Sequence, residues 1–286
     1  MKEYEPNSRT WFISGCLAGM GRPLTEAILQ RGDQAFITAR DPAKVQDFAE
    51  RFPDRATVMY MDVARPDSIH QAVRHAFERF PQIDVLVNNA GYGLQGAVEE
   101  VSMEQVRRQF DTNFFGLTEV IQAVLPHMRK ARRGHILNMS SVGGLVATAG
   151  LGIYHATRFA LEGLSEALAQ EVTPLGIGVT LVELGAFESD WAGGSLLRTE
   201  RVIEDYSRTR QTFRSEGAHA HGGQPGDPRR AVEAILLAVS SPRPPLRLVL
   251  GADALAKVRR KMAGLEEELR HWEALSRTAS PDTGWE

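Results

Sequence analysis

Cysteine is nearly missing from this chain: Cys16 is the one thiol in 286 residues. That excludes an internal disulfide framework and a cysteine metal cage. Long hydrophobic runs are missing too. No stretch of about 18 apolar residues occurs, and residues 1–10, M-K-E-Y-E-P-N-S-R-T, hold no apolar signal region. Neither sign of charge dominates, at a net −3, so nothing points to a nucleic-acid or membrane surface. Internal repeats and low-complexity blocks are absent. The expectation is a soluble, cytoplasmic protein with no metal, nucleic-acid or membrane partner. What is present is 43% hydrophobic content, enough for the core of one large α/β domain.

Short apolar strand patterns fall at residues 10–14, 34–38, 57–61, 84–87, 134–140, 176–183 and 246–250. Between them run helical patterns: one ending at Gly32, then 43–52, 67–80, 102–133 with a break near Asn113-Phe114-Phe115-Gly116, one from Tyr154, 229–239 and a last at 252–275. This alternation predicts α/β architecture with a doubly wound parallel sheet, in a single domain over 1–275, with a loose tail at 276–286. Ligand then binds beyond the strands' C-terminal ends. Residues 190–226 are charged and glycine-punctuated near their end, which predicts a substrate lid. His219 and His221 lie there and read as loop residues, not as a metal site.

The first strand is followed by G-C-L-A-G-M-G, with Gly15, Gly19 and Gly21 ahead of a helix. Strand, glycine loop and helix start form a phosphate cradle or a structural turn. The second strand ends in Ala39-Arg40, where an NAD site places an acid. An arginine fork there suits a 2′-phosphate. Asp62 closes the third strand, either accepting from an adenine amino group or capping the next helix. Asn88-Asn89-Ala90-Gly91 closes the fourth. Ser102 and Gln105 resemble a capping box. Asn113, polar within an apolar face, reads as a helix-bending hydrogen bonder or a site residue.

Residues 141–158 carry the chemistry. Ser141 ends a strand, and Tyr154 and Arg158 lie four apart on one helix face. A phenol, ordinarily near ~10, works at neutral pH only beside a cation. Arg158 is that cation.

These pieces together resemble the short-chain dehydrogenase/reductase family: the glycine loop, Asp62-Val63, Asn88 to Gly91, Asn113, Ser141, Tyr154 and the helix F-A-L-E-G-L-S-E-A-L. The resemblance implies NAD or NADP, with Arg40 favouring NADPH. Cofactor contacts are expected at Gly15, Cys16, Gly19, Met20, Gly21, Arg40, Asp62, Val63, Asn89, Ala90, Gly91, Tyr154, Arg158, Leu184, Gly185, Phe187 and Ser189. In the family's roles Tyr154 donates the proton, Ser141 holds the carbonyl oxygen and Asn113 orders a relay water. Homodimers or homotetramers through two long central helices are also implied. Two positions depart: Arg158 stands where the family has lysine, and Leu184 where it has proline. The expected reaction is NADPH-dependent reduction of a ketone, or oxidation of the alcohol, on an apolar small molecule walled by Tyr92, Leu145, Leu151, Phe187 and Trp191. The alternatives are non-redox catalysis on the same fold, or NADPH binding without turnover.

Overall fold

The structure is a computed structural model that describes residues 8–17, 19–187, 195–209 and 226–279. Seven strands form one sheet: β1 (Thr10–Ser14), β2 (Gln34–Ala39), β3 (Ala56–Tyr60), β4 (Val85–Asn88), β6 (Gly134–Met139), β7 (Ile177–Leu184) and β9 (Arg247–Leu250). Their order is β3-β2-β1-β4-β6-β7-β9. Every pairing is parallel. Parallel neighbours need crossovers, supplied by α1 (Gly21–Gln30), α2 (Gln46–Arg51), α3 (Pro66–Arg79), α4 (Met103–Phe110), α5 (Gly116–Ala131), α6 (Gly152–Val172) and α7 (Pro228–Ser240). A last helix, α8 (Ala252–Arg277), follows β9.

Successive strand side chains point to opposite faces, so a strand covered on both sides reads as continuously apolar. T-W-F-I-S in β1 shows this. Phe12 stacks on Phe36 at 5.4 Å between ring centroids, in the layer under Ile69, Leu117, Val120 and Leu161 of α3, α5 and α6. Trp11 and Ile13 point the other way, into the layer under Leu24 and Ile28 of α1 and Ile235 of α7. The sheet is thus a doubly wound, Rossmann-like fold in one domain, as expected. Its order reverses beside β1, so a crevice opens between the ends of β1 and β4.

The helical stretch expected over 102–133, with its break near 113–116, is two helices joined by a π-turn at Asp111–Phe115. Its start is as read: Ser102 Oγ accepts from the Gln105 N–H at 3.2 Å, and the Gln105 side chain accepts from the Ser102 N–H at 3.0 Å. The helix expected over 43–52 opens as a 3-10 turn, Pro42–Val45, before α2 begins. A parallel pair, β5 (Gly93–Gln95) and β8 (Leu196–Arg198), was not expected; three residues are too few for a periodicity signal. Of the expected lid, residues 195–209 and 226 are described. The rest of it, with Ser189, Trp191, His219 and His221, lies outside the described residues. Among the described residues no helix is long and apolar enough to cross a membrane, and no cluster of three His, Cys, Asp or Glu is arranged to hold a metal.

Candidate active site

The C-terminal strand ends enclose one cleft of about 720 Å³. Its floor is the glycine loop. Gly15 has φ +71° and Gly19 φ +62°, a backbone region that disfavours any side chain. A Cβ on Gly15 would lie 2.5 Å from the Ala90 backbone, so the first and fourth strand ends touch only because residue 15 has none. Asn89 locks that contact. Its side-chain amide donates to the Gly15 carbonyl at 2.6 Å, and its backbone N–H donates to Ser14 Oγ at 3.1 Å. Gly15, Gly19, Met20, Asn89, Ala90 and Gly91 all line the cleft. Gly21 packs behind it, where a Cβ would come within 2.6 Å of the Asn89 amide.

Cys16 is a correction. It is fully buried under α1, with Sγ 3.1 Å from Thr25 Oγ1. Burial pushes its thiol up to about 11. The side chain belongs to the core and does not line the cleft.

Arg40 is exposed at the end of β2, lines the cleft, and has no ion-pair partner among the described residues. Asp62 does not cap α3, whose N-cap is Arg65 with no side-chain cap. It lines the cleft with Val63, and its Oδ1 accepts from the Ala64 N–H at 3.0 Å, closing the turn into α3.

Ser141, Tyr154 and Arg158 all line the cleft. Ser141 starts the 3-10 turn Val142–Gly144, and its Oγ accepts from the Gly143 N–H at 3.1 Å. That uses a lone pair and leaves the hydroxyl proton free to point at a ligand. Arg158, buried on α6, lays its guanidinium over the Tyr154 ring at 5.2 Å. Its Nη1 donates to the Met139 carbonyl at 3.0 Å. Its Nε is buried with no hydrogen-bond partner. A buried charged donor left unmet calls for a polar ligand. Asn113 is buried in the π-turn, but its side chain is spent: Oδ1 accepts from the Tyr92 N–H at 3.1 Å, and Nδ2 donates to the Tyr92 carbonyl at 2.9 Å and to Thr157 Oγ1 at 3.2 Å. It clamps the loop that follows Gly91.

The far wall is Leu184, Gly185 and Phe187. Asp253, in the first turn of α8, accepts from the Ala186 N–H at 3.1 Å, and a Cβ on Gly185 would collide with its carboxylate. Tyr92 and Leu151 line the cleft as expected. Leu145 does not; Val146 lines it instead.

Three features were missed. Asp253 and Lys257 line the cleft, though they sit about a hundred residues from the motif that announces it. His155 lines it too, accepting from the Thr148 N–H at Nδ1 at 3.0 Å. Burial lowers it to about 4, so its ring is neutral. Behind the site, Glu162 and Glu183 are buried together. Ser140 Oγ donates to Glu162 Oε1 at 2.7 Å, and Arg247 Nε lies 3.3 Å from Glu162 and 3.5 Å from Glu183. Arg247 also pairs with Glu166 at 2.6 Å. Burial and then the neighbouring Glu162 carboxylate push Glu183 up to about 8; burial raises Glu162 as well. One proton held by the pair removes a charge that Arg247 alone does not balance.

Residues 9–197 match the profile of the short chain dehydrogenase family. The chain belongs to that family. It is 34% identical to oxidoreductase BOA17 of Botryotinia fuckeliana over 94% of this chain and 98% of that one. It is 35% identical to 3-ketodihydrosphingosine reductase of Bacteroides thetaiotaomicron, over 84% and 86%. A short-chain dehydrogenase from Streptomyces avermitilis superposes with TM-score 0.90 at 36% identity, over 96% of this chain and all of that one. This dehydrogenase is therefore an oxidoreductase whose fold takes a nicotinamide cofactor. Its cleft fits one: the left-handed Gly15 and Gly19 line its floor, and the buried Arg158 Nε has no hydrogen-bond partner.

Proposed function

We propose that this dehydrogenase uses NADPH to reduce a ketone on an apolar substrate, or oxidises the matching secondary alcohol. The observation that carries the reading is the buried Arg158 guanidinium over the Tyr154 ring, in the same cleft as the Ser141 hydroxyl. When bound, the cofactor supplies the hydride. Gly15, Gly19, Met20 and Asn89 would hold its pyrophosphate end, Asp62 and Val63 its adenine, and Gly185 and Phe187 its nicotinamide end. Arg40, exposed and unpaired, would meet the 2′-phosphate.

The protein's own part is proton supply and charge placement. Ser141 Oγ donates a hydrogen bond to the carbonyl oxygen. Tyr154 gives that oxygen its hydroxyl proton. Arg158 faces the phenolate left behind, and its fixed charge stabilises it. A guanidinium keeps its proton, so proton resupply must come from solvent or from other groups at the site. Support for an apolar ketone comes from the walls, Tyr92, Leu151, Val146 and Phe187, and from the relative named for a keto-sphingoid substrate.

The test is nicotinamide absorbance at 340 nm over a panel of ketones of rising chain length, with NADPH and NADH compared. Turnover lost in Tyr154→Phe while NADPH still binds is the expected result. Full reductase activity in Tyr154→Phe would overturn the mechanism. NADPH binding with no turnover on any ketone would favour a non-redox reaction or a sensing role.

A further inference from the structure

Most of α8 is left uncovered by the described residues. Ala254 is its one buried residue among 26, yet it displays large apolar side chains in order: Leu255 at 43% exposed, Met262 at 59%, Leu265 at 43%, Leu269 at 60% and Trp272 at 56%. With half-buried Val258 between the first two, the spacings run three, four, three, four, three. That is the a/d rhythm of a coiled-coil seam, which keeps one stripe facing a partner helix. At about 1.5 Å per residue the helix is roughly 39 Å long. A helix this exposed gains little from packing against its own domain.

The charges choose the partner. The first half carries Lys257, Arg259, Arg260 and Lys261; the second carries Glu266, Glu267, Glu268 and Glu273. Arg270 pairs with Glu266, and Arg277 with Glu273, within the helix. Arg259, Lys261 and Glu268, all flanking the seam, have no ion-pair partner among the described residues. We propose that α8 pairs antiparallel with α8 of a second copy of this chain. With Met262 layered on Leu265 of the second copy, Lys261 faces Glu268 and Arg259 faces Glu266 across the seam, twice each by symmetry. A parallel pair would instead set Glu268 against Glu273. The glutamate block also disfavours an anionic lipid surface. The seam begins at Leu255, between the cleft residues Asp253 and Lys257, so the pairing continues directly from the cleft rim.

The test uses the full chain and does not depend on turnover. Lys261→Cys protein is mixed with Glu268→Cys protein and oxidised gently; Cys16 is buried and stays out of the reaction. A cross-link between the two different variants, well above either variant with itself, is expected. Leu265→Asp with Leu269→Asp should halve the particle mass by light scattering while melting temperature and NADPH binding hold. Lys261→Glu should weaken association about tenfold, and adding Glu268→Lys should restore it. No mixed cross-link, or a mass that the Leu265 and Leu269 changes leave intact, overturns the pairing. So does monomeric native protein whose seam binds phosphatidylserine vesicles and loses them in the same leucine variant.

Discussion

Gly91 and Arg158 are a matched pair. A Cβ on residue 91 would lie 2.9 Å from Arg158 Nη2 and 3.2 Å from Asn113 Oδ1. The guanidinium has room there because Gly91, just beyond the end of β4, carries no side chain. Gly91→Ala therefore forces the guanidinium off the Tyr154 ring, and Met139 anchors its other nitrogen. The loss in kcat/KM should be on the order of tenfold or more, roughly 1.4 kcal/mol. The same change made with Arg158→Lys should cost less, because the slimmer head can yield. A double-mutant cycle showing simple additivity would count against this coupling.

Arg158 itself sets the second expectation. Arg158→Lys should keep or raise turnover, since lysine retains the charge and can also pass a proton. Arg158→Ala should weaken NADPH binding and slow turnover together, because the Met139 tie and the charge over Tyr154 vanish in one step. Steady-state kinetics with a separate cofactor titration distinguishes these outcomes.

Arg40 stands alone at its strand end, so its charge is available. Arg40→Ala should weaken NADPH by roughly ten- to a hundredfold, the worth of about 1.5–3 kcal/mol for a charge-assisted hydrogen bond, and leave NADH nearly unchanged. Equal weakening of both, measured by fluorescence titration, would remove the 2′-phosphate assignment.

The buried acids predict how stability follows pH. Glu183 is raised in the folded protein, so the folded state holds a proton that the unfolded chain releases above its ordinary carboxylate range. Stability then falls as pH rises toward about 8. His155 and His135, each lowered to about 4 by burial, act in the opposite sense. The unfolded chain still holds half of these histidine protons at pH 6.5, their ordinary value, so their effect ends only about one unit above it. From there through about pH 8 the glutamate trend should stand by itself. Urea midpoints should decline over that window in the native protein and flatten in Glu183→Gln. A flat native profile would show that the pair holds no proton.

The parts legible in the sequence were those written locally. Thr10 to Ser14 announced an apolar strand, and the glycines after it announced a phosphate cradle or a tight turn. Tyr154 and Arg158 were readable because four residues on a helix make one face. Cys16 misled because a position inside a motif says nothing about which way its side chain turns. Asp253 and Glu183 were invisible for a different reason. Their partners, Ala186 and Glu162, come from other strands and helices, and no period in the chain encodes that meeting. Asn113 was caught between readings, since only coordinates reveal that its amide is already spent on Tyr92.

The π-turn at Asp111–Phe115 acts as a phase shifter. One residue more than a helical turn needs rotates everything before it by about 100° relative to everything after it. Beyond it, Gly116 lies so close to the Val63 carbonyl that a Cβ would clash, while α5 keeps Leu117, Val120 and Val124 on the sheet. Gln109 ahead of it and Asn113 within it both reach the Tyr92 carbonyl. Deleting a single residue from the turn would leave both helices able to form yet out of step, with either the sheet or the Tyr92 loop facing the wrong side chains. The length of this segment is thus a more stringent constraint than its composition.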